Sequence, residues 1–215
     1  MMKMDDLAGA MMTGFANVMR SQATELTRKL LGRSGLPVAV PDQNHWVKPL
    51  ANAVSPYLTT AMSRGRPSHL PSVDQSVVVD EAGLLADRIA RSVVRSVREH
   101  VEGALSLNMN PDAVKGAMAI RIWHRAADKS YLKTTVQTEL RRAYFAGMLL
   151  AVARHGRVEG KAWLKSEGCC QKCADLHDRR LSLSSPFFVD PAGGDFAVVP
   201  HPPLHPGCLC EMEIF

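Results

Sequence analysis

The chain has 215 residues, of which 46% are apolar and 22% charged, and its formal net charge is +5. This length allows one sizeable domain with an arm or two small domains, and the composition is that of a globular protein. It contains no apolar run of 18 residues and begins Met-Met-Lys-Met-Asp-Asp, so we expect neither a membrane span nor a signal peptide. The mild positive charge is compatible with a polyanionic partner or with solubility alone.

Residues 4–31 are predicted to form an amphipathic helix. Apolar side chains recur there with the 3.6-residue period of a helix, interrupted at Gln22. The stripe consists of Leu7, Met11, Phe15, Val18, Leu26 and Leu30. Two interpretations stay open: the helix packs on its own domain, or a Met-rich face with Leu7, Met11 and Phe15 binds a partner protein.

The next stretch is rich in proline and glycine. Residues 33–44 are predicted to form an extended linker, and Pro49 and Pro56 divide a helical patch over residues 46–62. A further loop covers residues 63–71. We therefore predict three consecutive domains: an N-terminal helical arm or subdomain over residues 1–70, a helical core over 71–160 and a Cys-rich metal-binding lobe over 161–215.

A second amphipathic helix is predicted over residues 77–107. Its inward positions are Leu85, Ile89, Val93, Val97, Val101 and Leu105. Another face carries a regularly spaced stripe of Arg88, Arg91, Arg95 and Arg98. This arginine stripe is either a solvated helix face or a surface that follows the phosphates of a nucleic acid.

Two more helices complete the helical body. Asn110-Pro111 has the residue types of a helix start, and the helix is predicted to end near Ala127. Its inward positions are Val114, Met118, Ile122 and Trp123. The longest helix covers about residues 130–155 and contains Gly147. A glycine in mid-helix costs about 1 kcal/mol relative to alanine, so we expect a close helix crossing there.

Short strand-like segments replace the helical period after Gly160. They lie at residues 161–165, 181–183 and 196–199, with glycines and prolines between them. The predicted fold class is therefore mainly α, with a helical body and a small C-terminal α+β lobe that resembles a zinc knuckle.

All five cysteines lie in this lobe, as Cys169-Cys170-x-x-Cys173 and Cys208-x-Cys210. Two close thiol pairs that a loop can bring together are the ligand set of a tetrahedral Zn²⁺ site. We predict a structural zinc ion with the ligands Cys170, Cys173, Cys208 and Cys210. His205 could replace one ligand of the second pair, and Cys169 or His177 one of the first. Ordinary thiols, or a disulfide between the pairs, are the alternatives; the thiol usage fits a reducing, cytoplasmic compartment.

No catalytic motif accompanies the cysteines. The chain has no nucleophile elbow, no HExxH and no P-loop glycine pattern. A metal with four protein ligands also has no open position for water, so we expect no catalytic residues and no small-molecule substrate. The alternatives are a zinc-dependent enzyme that processes nucleic acid through His177, Asp178 and His205, and a DNA-binding protein that uses the arginine stripe.

A set of motifs over residues 80–215 resembles a known family. In order they are Thr138-Glu139 with Arg141, Ala143 and Gly147 in a long helix, Trp163, Cys170-x-x-Cys173-x-x-Leu176-His177, and Pro202-Pro203-x-His205-Pro206-x-Cys208-x-Cys210. In this order and spacing the chain resembles the phage Mu F-like minor head proteins, also called head morphogenesis proteins. It departs from them at Gln137, Asp178 and Leu209, where the family commonly has Arg, Gly and Arg.

The resemblance implies a minor capsid component of a tailed bacteriophage. Such a protein is made in the host cytoplasm and enters the virion head in few copies during assembly. Its expected partners are the portal or the major capsid protein, together with the packaged DNA, and no membrane is involved.

Overall fold

A computed structural model describes residues 3–31, 43–106, 110, 113, 116, 121–122, 124–155, 158–189 and 197–215. The described part is mainly helical, with α1 Met4–Leu31, α2 Gln43–Gly65, α3 Gln75–Ser106, α4 Lys129–His155 and the short α5 Gln171–Ala174. Five strands follow α4: β1 Lys161–Leu164, β2 Arg180–Leu181, β3 Phe187–Val189, β4 Ala197–Val199 and β5 Glu211–Ile214. The predicted fold class, helices followed by a small C-terminal lobe with strands, is confirmed. Among the described helices, none is long and apolar enough to cross a membrane.

The chain divides into two compact units that are not consecutive in sequence. Unit 1 comprises Met1–Tyr57 and Glu81–Lys133, and unit 2 comprises Leu58–Asp80 and Thr134–Phe215. This division differs from the three consecutive domains predicted from the sequence. In this division most of residues 1–70 belong to unit 1 together with Glu81–Lys133, and the rest belong to unit 2.

The core of unit 1 includes one face of α1. Leu7, Met11, Phe15 and Met19 are each 1% exposed. The helical period was predicted correctly, but Met19 continues the buried face and Val18 is only half-buried. Leu7, Met11 and Phe15 are therefore core residues, which corrects the prediction that they bind a partner. The predicted Leu26 and Leu30 side chains lie outside the described residues.

Gln22, the polar break in the α1 pattern, is also buried, at 6% exposed. Its side-chain amide donates a hydrogen bond of 2.9 Å to the backbone oxygen of Trp46 in α2. A buried amide needs such a partner, because desolvation without a hydrogen bond costs about 1–3 kcal/mol. The break in the pattern thus marks a contact between two helices of unit 1.

The remaining helix predictions hold where the structure describes them. In α3, Ile89 and Val93 are buried and Leu85 is half-buried. Residues 121–122 and 124–127 are helical, and Ile122 is 1% exposed. The other predicted inward side chains lie outside the described residues: Val97, Val101, Leu105, Val114, Met118 and Trp123. The same holds for Pro111 and for nearly all of the linker predicted at 33–44.

Unit 2 contains the helix crossing predicted at Gly147. A Cβ added to Gly147 of α4 would lie 2.7 Å from the Cα of Met62 in α2 and would overlap the Met62 carbonyl group. A Cβ on Gly65 of α2 would likewise overlap the carbonyl oxygen of Tyr144. The two glycines let the backbones of α2 and α4 touch, which confirms the predicted close approach.

The C-terminal lobe, residues 161–215, is built on two small antiparallel sheets. One has the strand order β2-β1-β5, with Trp163 opposite Met212, and the other pairs β3 with β4. Strands were predicted at β1, β2 and β4, while β3 and β5 were missed. The sequence Glu-Met-Glu-Ile of β5 does alternate, with Met212 buried, so the two-residue period could have revealed it.

Lys161, the first residue of β1, is 1% exposed although it carries a charge. Its ammonium group donates to the carbonyl oxygens of Leu183, at 2.8 Å, and Pro200, at 2.7 Å. It also lies 5.4 Å from the centre of the Phe187 ring. Burial lowers the pKa of Lys161 below its usual value of 10.5. One buried cation thus joins β1 to the segments before β3 and after β4.

We expect Lys161→Met to lower the free energy of unfolding by about 2 kcal/mol, because two carbonyl groups lose a charged donor. Lys165→Met, at the exposed position directly after β1, is the matched control and should be nearly neutral. Since the folded-state pKa of Lys161 is lowered, the unfolded chain holds this proton more tightly. Wild-type stability relative to Lys161→Met should therefore rise as pH increases toward 10.5, which urea titrations at several alkaline pH values would measure. Equal stability of the two lysine variants would contradict this role.

Candidate metal centre

The cysteines converge in the core of the C-terminal lobe. Cys170 precedes the single turn of α5, Cys173 lies within it, and Cys208 and Cys210 lead into β5. Cys173, Cys208 and Cys210 are between 0% and 4% exposed, packed with the buried apolar side chains Trp163, Leu176 and Phe187. The backbone amides of Cys173 and Ala174 both donate to the Cys170 carbonyl oxygen, at 3.0 Å each. This turn brings the two thiols of the Cys-x-x-Cys motif to one side.

Five side chains form two overlapping groups, each with ligand atoms within 4.8 Å of one another. One is Cys170, Cys173 and His205, and the other is Cys173, Cys208 and Cys210. His205 Nε2 lies 3.2 Å from the Cys170 sulfur and 3.4 Å from the Cys173 sulfur, and 3.6 Å separates the sulfurs of Cys173 and Cys208. Ligand sulfurs in a tetrahedral zinc site with bonds of about 2.3 Å are about 3.8 Å apart. The spacing is that of a site that can hold a metal ion.

His205 is oriented as a metal ligand requires. Its Nδ1 lies 2.9 Å from the carbonyl oxygen of Pro206. A carbonyl oxygen only accepts, so this hydrogen bond selects the neutral tautomer with its proton on Nδ1, in which the Nε2 lone pair is free for a metal ion beside the Cys170 and Cys173 sulfurs. Metal-bound histidines commonly make this second hydrogen bond, which fixes the tautomer. The predicted alternate ligand thus lies inside the cluster.

Charge in the cluster is distributed unevenly. The backbone amide of Cys173 lowers the pKa of Cys170, with a smaller contribution from His205. Burial, and then the neighbouring Cys208, raise the pKa of Cys173. Burial would also raise the pKa of Cys210, but hydrogen bonds led by that from the Ser166 backbone amide lower it overall. Several buried thiolates can coexist only beside a cation, and a bound metal ion would supply that charge.

Helix α4 holds the loop that carries the second cysteine pair. The Gly207 amide donates to the Thr138 hydroxyl at 3.0 Å, and this hydroxyl donates to the Thr134 carbonyl oxygen at 2.6 Å. The Arg141 guanidinium donates to the backbone oxygens of Leu209, at 2.8 Å, and Cys210, at 3.2 Å. Gly207 has φ +77°, in the left-handed region that favours glycine. Thr138 and Arg141 therefore position Cys208 and Cys210 from outside the cluster.

Thr138 and Arg141 were not predicted as site residues. Each contacts a residue nearly seventy positions away, and no local pattern reports such a contact. Their only signal was membership in the motif set that carries the family resemblance.

The structure places Cys169 and His177, the other predicted alternative ligands, outside the two ligand groups. All five cysteines are described and are free thiols, so the structure contains no disulfide between the pairs. Cys169 is half-buried and belongs to neither ligand group. His177 is also outside both groups: its Nε2 lies 3.5 Å from an Asp178 carboxylate oxygen, and its Nδ1 3.5 Å from the Lys165 amide. The structure therefore does not bring His177 together with His205 at the candidate metal centre.

The predicted arginine stripe is partly described. Arg88, Arg91 and Arg95 are exposed on α3, and the Arg98 side chain lies outside the described residues. Arg91 forms an ion pair of 2.5 Å with Asp87, one helical turn before it. This ion pair raises the pKa of Arg91 and neutralises part of the stripe's charge. The stripe fits a solvated helix face as well as it fits a phosphate-binding surface.

Comparisons with known proteins give no match for this chain among protein-family models, curated proteins or solved structures.

Proposed function

We propose that the chain is a minor head protein of a tailed bacteriophage, of the Mu F-like kind, whose C-terminal lobe is held by a structural zinc ion. The observation that carries the proposal is that the motif residues form one connected set. Thr138 and Arg141 of α4 hold the loop with Cys208 and Cys210, and these thiols lie with Cys173 in the buried cluster that contains Trp163. These residues, which belong to the motifs that carry the family resemblance, thus form or support the cysteine cluster of this chain.

Asp178 gives independent support. The family commonly has glycine at this position, and Asp178 has φ 58°, in the left-handed region. Glycine adopts this conformation freely, and aspartate is among the few other residues that tolerate it. The departure from the family pattern therefore keeps the backbone requirement that the family residue meets. Leu209, another departure, is 55% exposed and contributes its carbonyl oxygen, so its side chain is free to vary.

Zinc is the metal that suits this ligand set best. Thiolates with one imidazole are soft ligands, and Zn²⁺ binds them tetrahedrally without redox chemistry. The candidates Cys170, Cys173, Cys208, Cys210 and His205 are enough to fill four positions from the protein alone. Such a closed site leaves no position for a reacting water, so the proposed role of the metal is structural.

In this proposal the protein is made in the host cytoplasm and incorporated into the virion head. The helical body contacts the portal or the major capsid protein, and the packaged DNA lies nearby. The C-terminal lobe gives the assembled protein a rigid end, since a structural zinc site can contribute about 10 kcal/mol or more to folding.

The test is the composition of phage particles. We expect the double variant Cys170→Ser/Cys208→Ser to reduce the amount of the chain in purified heads by more than about tenfold. Loss of the metal would lower the free energy of unfolding by several kcal/mol, which is a large part of a domain's total stability. Cys169→Ser, outside both ligand groups, is the control and should be incorporated normally. Quantitative mass spectrometry of particles, with counts of DNA-filled heads, measures both. Absence of the wild-type chain from particles would refute the proposed role, whatever metal it binds.

A further inference from the structure

The ligand atoms of the candidate metal centre form two groups of three that share one sulfur. Cys173 belongs to both groups, with Cys170 and His205 in the first and with Cys208 and Cys210 in the second. The shared sulfur lies 3.4 Å from His205 Nε2 in the first group and 3.6 Å from the Cys208 sulfur in the second. The Cys173 sulfur is therefore placed to contact a cation held by either group.

The two groups differ in their access to solvent. In the first group Cys170 is exposed and His205 is half-buried, so a cation can reach it from solution. In the second group all three thiols are buried and pack with the apolar side chains of the lobe. The cluster thus has one open side and one shielded side.

The number of ligands that a cation needs decides how it can use these groups. A structural Zn²⁺ ion takes four protein ligands, so it has to draw them from both groups. Cu⁺ is softer, also prefers thiolate and imidazole ligands, and is satisfied by two or three of them. Two Cu⁺ ions carry the same total charge as one Zn²⁺ ion, so they compensate buried thiolates equally well. Each group of three meets the needs of one Cu⁺ ion without a ligand from the other.

We propose that the cluster binds two Cu⁺ ions, one in each group, with the Cys173 thiolate bridging them. The first ion is held by Cys170, Cys173 and His205, whose Nδ1 atom is 2.9 Å from the Pro206 carbonyl oxygen. That hydrogen bond selects the tautomer in which Nε2 is free for the metal. The second ion is held by the three buried thiolates. Both positions use ligands of the proposed zinc centre, so the proposal rests on the proposed function to that extent.

The experiment counts copper in variants of the full chain. The purified protein is titrated with Cu⁺ without oxygen, against a chromogenic Cu⁺ chelator, so that only tightly held copper is counted. The wild type should retain two Cu⁺ ions. Cys170→Ser and His205→Ala each remove a ligand of the first group alone, and each should retain one. Cys169→Ser is the matched control, because it removes a neighbouring thiol that belongs to neither group, and it should retain two.

X-ray absorption at the copper edge tests the bridge. Two ions that share the Cys173 sulfur are close enough to give copper–copper scattering. We expect this signal in the wild type and in Cys169→Ser, and its loss in Cys170→Ser and His205→Ala. His205→Ala keeps all five thiols, so it decides the test if Cys170→Ser does not fold by circular dichroism.

Three results would overturn the proposal: a single Cu⁺ ion in the wild type, two ions without copper–copper scattering, or equal copper loss in Cys169→Ser and Cys170→Ser. The last would mean that copper follows the number of thiols and not the two groups. Zinc content, measured separately, distinguishes this proposal from the proposed function. A chain with one zinc ion that takes up a single Cu⁺ ion keeps the structural zinc and refutes the pair, whereas two bridged Cu⁺ ions in a chain that binds no zinc do the reverse.

Discussion

Replacing Cys173 with serine should abolish metal binding and unfold the C-terminal lobe at temperatures at which the wild-type lobe is folded. Cys173 is 0% exposed and is the one residue common to both ligand groups, so every four-ligand site that contains either group in full includes it. A structural zinc ion contributes about 10 kcal/mol or more to the folding of a small module. Domains are typically stable by only about 5–15 kcal/mol. Loss of the metal therefore removes most or all of the stability of the lobe, and we expect the lobe to unfold.

Chelation separates the metal from the packing of the side chain. Serine at a buried position also costs about 1–3 kcal/mol because its hydroxyl is desolvated, so a lower melting temperature alone would not identify a metal. We therefore expect a chelator to lower the melting temperature of the wild type and of Cys169→Ser, but not that of Cys173→Ser. Elemental analysis should find one zinc ion per chain in the first two proteins and none in the third. The metal site would be contradicted if the chelator left the melting temperature of the wild type unchanged and elemental analysis found no zinc in it.

The two ligand groups offer five side chains for four positions, and the experiment can be extended to choose among them. His205 contacts Cys170 and Cys173, while Cys210 belongs to the other group and also lies 3.9 Å from the Ser166 hydroxyl. If His205 is a ligand, His205→Ala weakens metal retention more than Cys210→Ser does. The reverse order would restore the four-cysteine set predicted from the sequence.

Local sequence patterns predicted the helices and strands of this chain better than they predicted which of them pack together. The period of α1 and the spacing of the cysteines depend on neighbours a few residues apart. The period placed Met11 on the apolar face of a helix, although not in the core, and the spacing placed Cys173 in a cysteine cluster. The division into two units depends on which distant helices pack together, and a repeat of 3.6 residues carries no information about the packing partner. For the same reason Arg141, which holds the loop before β5, was not recognised as a site residue.

Gly147 is the position at which sequence alone specified a tertiary contact. Glycine lowers the stability of a helix interior, so its presence there indicated a contact that excludes a larger residue. The structure contains this contact, between the backbones of α4 and α2. A polar or charged residue gives no comparable signal, because solvent always provides an alternative explanation. The ambiguity of the arginine stripe is an example.

Gly147→Ala should lower the free energy of unfolding of unit 2 by about 3 kcal/mol, the upper range for overpacking a tight contact. The added methyl group meets the Met62 backbone rather than a side chain, so no rotamer change relieves the overlap and α2 must move away. Gly83→Ala in α3 is the matched control, since a Cβ there has no atom within 4 Å. It should stabilise by up to about 1 kcal/mol through helix propensity. Chemical denaturation of the two variants should therefore give changes of opposite sign.

The partner glycine makes the prediction stricter. Gly65→Ala should destabilise unit 2 as Gly147→Ala does, because both methyl groups enter the same crossing of α2 and α4. Once one substitution has separated the helices, the second meets less overlap. The double variant should therefore lose clearly less stability than the sum of the single losses, as expected for residues that share a contact. Strict additivity would mean that the two glycines act independently, and a stabilising Gly147→Ala would mean that the backbones do not touch.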